Sequence, residues 1–578
     1  MKVVLATLNA KYIHTNLAIR YLKANAQPQF DAEIAEYTIK DPAFNIVSDL
    51  FQKKPDIIGF SCYIWNIEET IKIVQMLKKV LPDVTIILGG PEVSYDVHMW
   101  IKKYPEIDFI IMGEGEHSFK QLLHYLNEEI FLREVPGICY LDEGKMKIHP
   151  PAPKVDLREL ASPFRFEEDL SHLGKRIQYI ETSRGCPFQC QFCLSSIEVG
   201  VRYFNREQIK EEIRFLMQNG AKTIKFVDRT FNISRSYAME MFQFLIDEHQ
   251  SGVVFQFEIT ADIMRPEVIE FLNEHAPKGL FRFEIGVQST NDLTNELVKR
   301  RQNFKKLKRT VTMVKEGGKI DQHLDLIAGL PEEDYHSFRQ TFNDVFAMRP
   351  EELQLGFLKL LRGTGLRLES EKYGYTYVDV APYEIFSNNV LTFDDIVQIK
   401  HAEDVLEKYW NAHRMDRTID YLVTNVFKTP FDFFQNFGVY WENKGWSRIG
   451  HQLEDLFHRL IEFLQTIPEV DVAVVTTIMQ VDYLANHQFQ PRKPWWQKPI
   501  EKNQLKEIYN QIRVNPMIVG ESFVAMNVSE KDLYKHSLIV PSAISYEALE
   551  KGQIEEKEGY LFTFFRQGTK PYFADFRL

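Results

Sequence analysis

Three of the five cysteines fall close together, in Arg184-Gly185-Cys186-Pro187-Phe188-Gln189-Cys190-Gln191-Phe192-Cys193. The spacing is C-x3-C-x2-C. Three thiolates this near one another can hold three irons of a 4Fe-4S cluster, and with no fourth cysteine nearby the last iron stays open. An open iron can bind and reduce a ligand. A zinc site would want four ligands, and the loop offers no histidine. Cys62 and Cys139 stand on separate segments and read as buried structural thiols, with Cys62 just past a strand.

Two α/β runs must position this loop. In the first, apolar strands at Lys2–Ala6, Asp56–Ser61, Val84–Leu88 and Asp108–Met112 alternate with helices at Leu17–Ala24, Ile67–Leu81 and His117–Glu128. Continuous apolar strands separated by helices indicate a parallel sheet covered on both faces. Ligands of such sheets bind beyond the strands' carboxyl ends. Those ends are Asn9–Asn16, Ser61–Asn66, Gly89–Ser94 and Gly113–Glu116. Proline and glycine punctuate 136–165, which reads as a linker.

Six further strands begin near Tyr179, Thr223, Phe255, Phe281, Gln322 and Leu353, with helix-sized gaps, and suggest a partial parallel barrel. The cysteine triple follows the first of them. From 376 onward helical patterns and dense aromatics take over, with a closing strand at Tyr560–Phe565. The expected fold is α/β: a doubly wound Rossmann-like domain (1–135), a linker (136–170), a partial (β/α)6 TIM-type barrel (171–375) and a mainly helical accessory domain (376–578).

Composition narrows the class. A chain of 578 residues, 44% hydrophobic and 26% charged, is an ordinary multidomain globular protein. Five cysteines are too few, and odd in number, for a disulfide scaffold. The net charge of −12 argues against nucleic acid as the default partner. No targeting signal and no apolar run of membrane-spanning length is seen, so a cytoplasmic protein with reduced thiols is expected.

The cysteine triple, with Phe192 before its last member, resembles the radical S-adenosylmethionine (SAM) superfamily. The resemblance implies SAM on the open iron and one-electron cleavage to a 5′-deoxyadenosyl radical. It implies SAM contacts from Asp228 in Phe226–Asn232, Glu258 in Phe257–Asp262, Glu284 and Gln288 in Glu-Ile-Gly-Val-Gln, and Asp325 in Asp325–Pro331. A doubly wound domain ahead of the barrel resembles the cobalamin-binding branch of that superfamily. There the matching residues are Gly59-Phe60-Ser61 with Asn66, Leu88-Gly89-Gly90-Pro91, and Gly113-Glu114-Gly115-Glu116 with Phe119. Ser61, Asn66, Gly89, Gly90, Gly113 and Glu114 are thereby implied as cobalamin contacts, glycine allowing close backbone approach. The D-x-H-x-x-G signature that supplies a cobalt-ligating histidine is not matched, since His14 has Tyr12 and Leu17 where Asp and Gly would stand. Cobalt without a protein histidine is expected.

The resemblance, running to about residue 375, implies a cobalamin-dependent radical methyltransferase. Some members of the branch catalyse cyclisation or rearrangement instead. A methylthiotransferase would need three more cysteines for a second cluster, and only two remain. A non-catalytic cobalamin and cluster sensor is another reading. Flavodoxin or ferredoxin would serve as electron donor, and the substrate would be a small molecule. The basic run Lys299–Lys315 and the segment Arg492–Lys498 could bind RNA, though a solvated helix face accounts for the first. Tyr421, His451 and Trp495 fit core or pocket equally.

Overall fold

Four of the apolar runs become adjacent parallel strands of one sheet. In the computed structural model, which describes residues 1–198, 200–497 and 500–578, that sheet contains β1 (Val3–Asn9), β2 (Ala32–Thr38), β3 (Ile57–Ser61), β4 (Thr85–Gly89), β5 (Phe109–Ile111), β6 (Ile138–Asp142) and β7 (Lys145–Ile148), in the order β2-β1-β3-β4-β5-β6-β7. Every residue of β1 and β3 is buried because helices cover both faces. Val3 and Leu5 enter one core with Ile19 and Phe119, while Val4, Ala6 and Leu8 enter the other with Ile46 and Ile71. The covering helices are α1 (Leu17–Ala26), α2 (Ala43–Gln52), α3 (Ile67–Val80), α4 (Pro91–Ser94), α5 (Val97–Lys103) and α6 (Gly115–Leu126).

The stretch expected as a linker is partly sheet. β6 pairs antiparallel with β5, and β7 pairs antiparallel with β6. Glu143 and Gly144 between them both take positive φ, at 48° and 75°, as a tight hairpin turn requires.

The second sheet is the barrel. β8 (Gln178–Ile180), β11 (Thr223–Phe226), β12 (Val254–Ile259), β13 (Phe281–Gln288), β14 (Asp321–Ala328) and β15 (Glu352–Phe357) lie side by side in sequence order, all parallel. A two-stranded ribbon, β9 (Ser183–Arg184) and β10 (Arg202–Tyr203), stands between β8 and β11 in the chain. Burial alternates along β12 and β13. One face carries Phe255, Phe257, Phe281 and Phe283, packed with Phe226, Phe231 and Phe242 at centroid separations from 4.4 to 6.5 Å. Each such ring contributes about 2–3 kcal/mol by leaving water. The other face carries Lys225, Gln256, Glu258, Arg282, Glu284, His323 and Asp325. A polar inner wall suits a barrel that holds a polar ligand rather than one filled by aliphatic layers.

These two sheets form one unit, Met1–Ile396, and Val397–Leu578 forms a second. The second unit is built of helices such as Pro430–Asn443, Leu453–Leu464 and Val472–Ala485 and a three-stranded antiparallel sheet of Ser537–Ile544, Glu556–Phe564 and Tyr572–Phe576. Phe431, Phe433, Phe434 and Phe437 are fully buried in it. No helix among the described residues is long and apolar enough to cross a membrane.

Candidate functional site

The cysteine loop is closed at its neck by the β9–β10 ribbon, where Arg184 and Arg202 are direct cross-strand partners. Gly185 takes φ 96°, and a Cβ there would lie 2.1 Å from the Gly200 carbonyl oxygen. The loop is pinned further by Gln191 N–H donating to Val298 O at 2.9 Å and Leu366 N–H donating to Gln191 O at 3.0 Å. Cys186 and Cys190 are buried and Cys193 is half-buried, as is Phe192. Burial pushes the Cys186 and Cys190 thiols up, and the Arg300 guanidinium opposes this at Cys190. Arg300 Nη1 approaches Cys190 Sγ at 3.9 Å while its other amino group donates to Gly286 O. Among the described residues no three His, Cys, Asp or Glu side chains converge as for a single metal ion; a cluster asks only for one thiolate per iron.

Glu258, Glu284 and Asp325 stand on the polar inner wall of neighbouring strands, in registers Glu258↔Glu284 and Gly286↔Asp325. Glu284 is held by Lys225 Nζ at 2.6 Å, and Asp325 by His323 Nε2 at 3.0 Å. Gln288 ends β13, with φ 69° and its Oε1 buried without a protein partner. Asp228 goes elsewhere. It is 1% exposed and accepts from Thr182 N–H at 3.1 Å, Thr182 Oγ1 at 2.7 Å and Ser183 Oγ at 2.5 Å. Its carboxylate braces the entrance to the cysteine loop.

Glu258 gives a pH test. Burial, opposed by Arg229 and Lys225, raises its carboxyl to about 7. The unfolded chain ionises it from about pH 4.5, so this group costs stability as pH rises through that window, and the loss is complete above about 7. Between pH 5 and pH 8 the cofactor-free wild type should lose about 2–3 kcal/mol more stability than Glu258→Gln. Equal losses in urea denaturation would contradict this.

The carboxyl ends of β1, β3, β4 and β5 in the first sheet and of β8 and β11 in the barrel face one cleft of about 870 Å3. Ser61, Gly89, Gly90, Gly113 and Glu114 line it from the first sheet, and Tyr179, Glu181, Arg184, Val227 and Arg229 from the barrel. An apolar wall of Leu5, Leu22, Gly59, Ile87, Ile111 and Phe119 extends it beside α1 and α6. Gly113, at φ 72°, has nothing within 4 Å of where a Cβ would stand. Gly90 is glycine for a different reason: at φ 110°, a Cβ would meet the Cys62 carbonyl oxygen at 2.5 Å. Asn66 is 1% exposed and does not reach the cleft. It donates to Leu8 O and Ser61 O and accepts from Tyr63 N–H, fixing the loop after β3. Glu114 is spoken for by Arg202 and by Val155 N–H at 3.2 Å. His14 lines the cleft, but its Nδ1 is engaged with Tyr179 Oη at 2.7 Å. The cleft offers a polar ligand one free acceptor: Glu116 Oε2 is buried and no protein donor reaches it.

Sequence patterns gave no role to Arg184, Arg202, Glu181 and Arg300, and placed Glu116 only in the turn matched to the cobalamin-binding branch. Arg300 was masked by its basic run, whose helix Phe304–Gly317 buries Leu307, Val311 and Val314 and exposes Lys305, Lys306, Lys308 and Arg309. In Arg492–Lys498, Trp495 is buried and stacks on Phe457 at 5.8 Å, and Lys498 lies outside the described residues. His451 packs on Trp441 at 4.7 Å, and Tyr421 packs against the core of Val474 and Ile478. Cys62 and Cys139 are fully buried.

The chain matches three family models: B12 binding domain over residues 2–123, Radical SAM superfamily over 180–345, and a protein of unknown function (DUF4080) over 371–562. It is 28% identical over 237 residues to an uncharacterised methyltransferase of Pyrococcus horikoshii, covering 39% of this chain and 51% of that protein. It is 26% identical over 374 residues to the cobalamin-dependent radical SAM methyltransferase TokK of Streptomyces tokunonensis, covering 60% and 54%. It is 26% identical over 301 residues to the anaerobic magnesium-protoporphyrin IX monomethyl ester cyclase of Rubrivivax gelatinosus, covering 50% and 54%. The chain thus spans about half the length of these relatives. The solved structure of the cobalamin-dependent S-adenosylmethionine radical enzyme OxsB shares the fold, with a TM-score of 0.59 and 16% identity over 92% of this chain and 83% of that one.

Proposed function

We propose, from a chain that carries a B12 binding domain, then a radical SAM domain, then a C-terminal domain of unknown function, that it is a cobalamin-dependent radical SAM methyltransferase acting on an unactivated carbon of a small molecule. The observation that carries this reading is the shared cleft, lined by the carboxyl ends of the first sheet and by the ends of barrel strands β8 and β11. When bound, the cluster would supply the electron that cleaves SAM to a 5′-deoxyadenosyl radical, and cobalamin would supply the methyl group.

The chain's own residues do the holding. Cys186, Cys190 and Cys193 would ligate the cluster, with Arg300 donating toward the Cys190 sulfur. Phe192 would flank SAM at the loop, and Glu258, Glu284, Gln288 and Asp325 would meet it along the barrel wall. Ser61, Gly89, Gly90 and Gly113 would floor the cobalamin, whose nucleotide tail suits the apolar wall beside α1 and α6. Asp228 and Asn66 act one layer back, as braces. A flavodoxin or ferredoxin would deliver the electron, in the cytoplasm.

The test is anaerobic reconstitution with iron, sulfide and methylcobalamin, followed by incubation with methyl-labelled SAM and extract. The expected result is 5′-deoxyadenosine together with a product carrying the labelled methyl. A product that gains no methyl group, labelled or unlabelled, would favour the cyclisation seen in the name of the Rubrivivax relative. No 5′-deoxyadenosine under any reductant would leave a binding protein without turnover.

A further inference from the structure

The junction between the cysteine loop and the first domain is built with more care than packing alone needs. Arg184 precedes Gly185-Cys186 by sequence and sits on β9. Its guanidinium lies over the ring of Tyr21 from α1 at 5.4 Å and over Phe204 from the barrel side at 5.8 Å. Its Nη2 donates to Glu116 Oε1 at 2.6 Å, at the start of α6, and its Nε to Glu181 Oε2 at 3.0 Å, just past β8. Its Nη1 stands 3.6 Å from Glu114 Oε1. The cross-strand partner Arg202 grips the same Glu114 and also donates to Val155 O at 2.9 Å. Both arginines of the loop's neck thus close on one turn, Gly113-Glu114-Gly115-Glu116, which ends β5 and lines the cleft.

The side chains involved are 7% to 28% exposed. Ion pairs this sheltered fix geometry more than surface pairs do, and losing one partner strands the other's charge. A planar guanidinium set against a stacked pair of rings, Tyr21 and Phe204, with carboxylates on its edges has little freedom to move.

We propose that Arg184 is a positioning residue: with Arg202 it clamps the cluster-bearing loop to the Glu114–Glu116 turn and so sets the separation of the two cofactors, Glu114 and Glu116 serving the clamp rather than the cobalamin. This rests on the function proposed above for the cleft. A lysine at 184 would keep one charge but not the fork or the stacking, so it should restore the geometry only in part.

Two measurements on the full chain separate the clamp from that function. The first needs no cofactor: a thermal-denaturation cycle of Arg184→Met, Glu116→Gln and the double variant. The expected result is strong non-additivity, the double variant melting no lower than the worse single. Additive shifts would overturn the clamp whatever the chain binds. The second uses the reconstituted protein, reading the magnetic interaction between cob(II)alamin and the reduced cluster by pulsed EPR. Glu116→Gln and Glu114→Gln leave the cysteine loop's own sequence intact. They should broaden or shift the wild-type distance distribution, Arg184→Met should do so most, and Arg184→Lys should recover part of it. An unchanged distribution in all four would overturn the positioning role. A wild type that takes up neither cofactor would instead sink the cofactor reading, and the melting cycle would still decide whether the clamp exists.

Discussion

Gly185→Ala should yield a chain that takes up almost no iron after anaerobic reconstitution, while cobalamin uptake stays near that of the wild type. At φ 96° an alanine is already strained, and its Cβ would sit 2.1 Å from the Gly200 carbonyl oxygen. That neighbour is backbone across the neck of the loop, so it cannot swing aside as a side chain would. The two effects together put the local cost at about 3–5 kcal/mol, enough to open the neck and scatter the thiols that begin at the next residue. Iron and sulfide per chain should fall at least tenfold, and 5′-deoxyadenosine formation should fall in proportion, because each open-neck molecule lacks the cluster altogether. Gly113→Ala is the internal control. It shares a positive φ but meets nothing within 4 Å, and should cost only about 1–2 kcal/mol. Full iron content in Gly185→Ala would refute the assignment of the neck as the loop's structural gate.

Asp228→Ala should be the most destabilising single change at the strand ends, by about 3–5 kcal/mol. Three donors from Thr182 and Ser183 converge on this carboxylate in a site with 1% exposure, and none has water to turn to. Burial raises its pKa and those same hydroxyls and amide oppose the rise, so Asp228→Asn, which keeps an acceptor, should lose about half as much. The decisive readout is the pairing of effects. A brace predicts a fall in melting temperature with loss of cluster in parallel, and unchanged SAM affinity in the molecules that keep the cluster. A direct SAM contact predicts weakened SAM binding at wild-type stability, and that pattern would return Asp228 to the ligand list.

Asp228 also shows where sequence reading stopped. The strand before it was legible as a short apolar run, and its position at the strand's end was correct. Periodicity does not say whether the next side chain turns into the barrel or back onto the neighbouring strand, and here the hydroxyls of Thr182 and Ser183 decide. Asn66 went the same way, drawn to the backbone of Leu8 and Ser61. The cysteine triple was legible as a motif because its three thiols lie within eight consecutive residues. The parallel strands were legible because burial on both faces, as in β1 and β3, leaves an uninterrupted apolar run. β2 was not, since Glu33, Glu36 and Tyr37 interrupt it and only Ala32 and Ala35 are buried. The Arg184 and Arg202 pairings with the 114–116 turn join segments about 70 to 90 residues apart, as at Arg184–Glu116 and Arg202–Glu114, and no local pattern encodes such a meeting. Arg300 was hidden by company: seven other basic residues nearby point to solvent or lie on an ordinary helix face, and only its contact with Gly286 and Cys190 sets it apart.

The hairpin of β6 and β7 has a consequence for how the chain avoids sticking to itself. Without it the first sheet would end at β5, whose Ile110 and Ile111 would offer bare amides and carbonyls on an apolar strand, a ready template for joining another molecule. The hairpin covers that border and replaces it with Lys145-Met146-Lys147-Ile148, in which both lysines are exposed. Positive charge along an outermost strand repels a second copy approaching edge to edge. A fragment cut at residue 135 would lose this guard and should form oligomers that a fragment carried through Ile148 does not, so the portable piece of this chain is longer than its ligand-facing loops suggest.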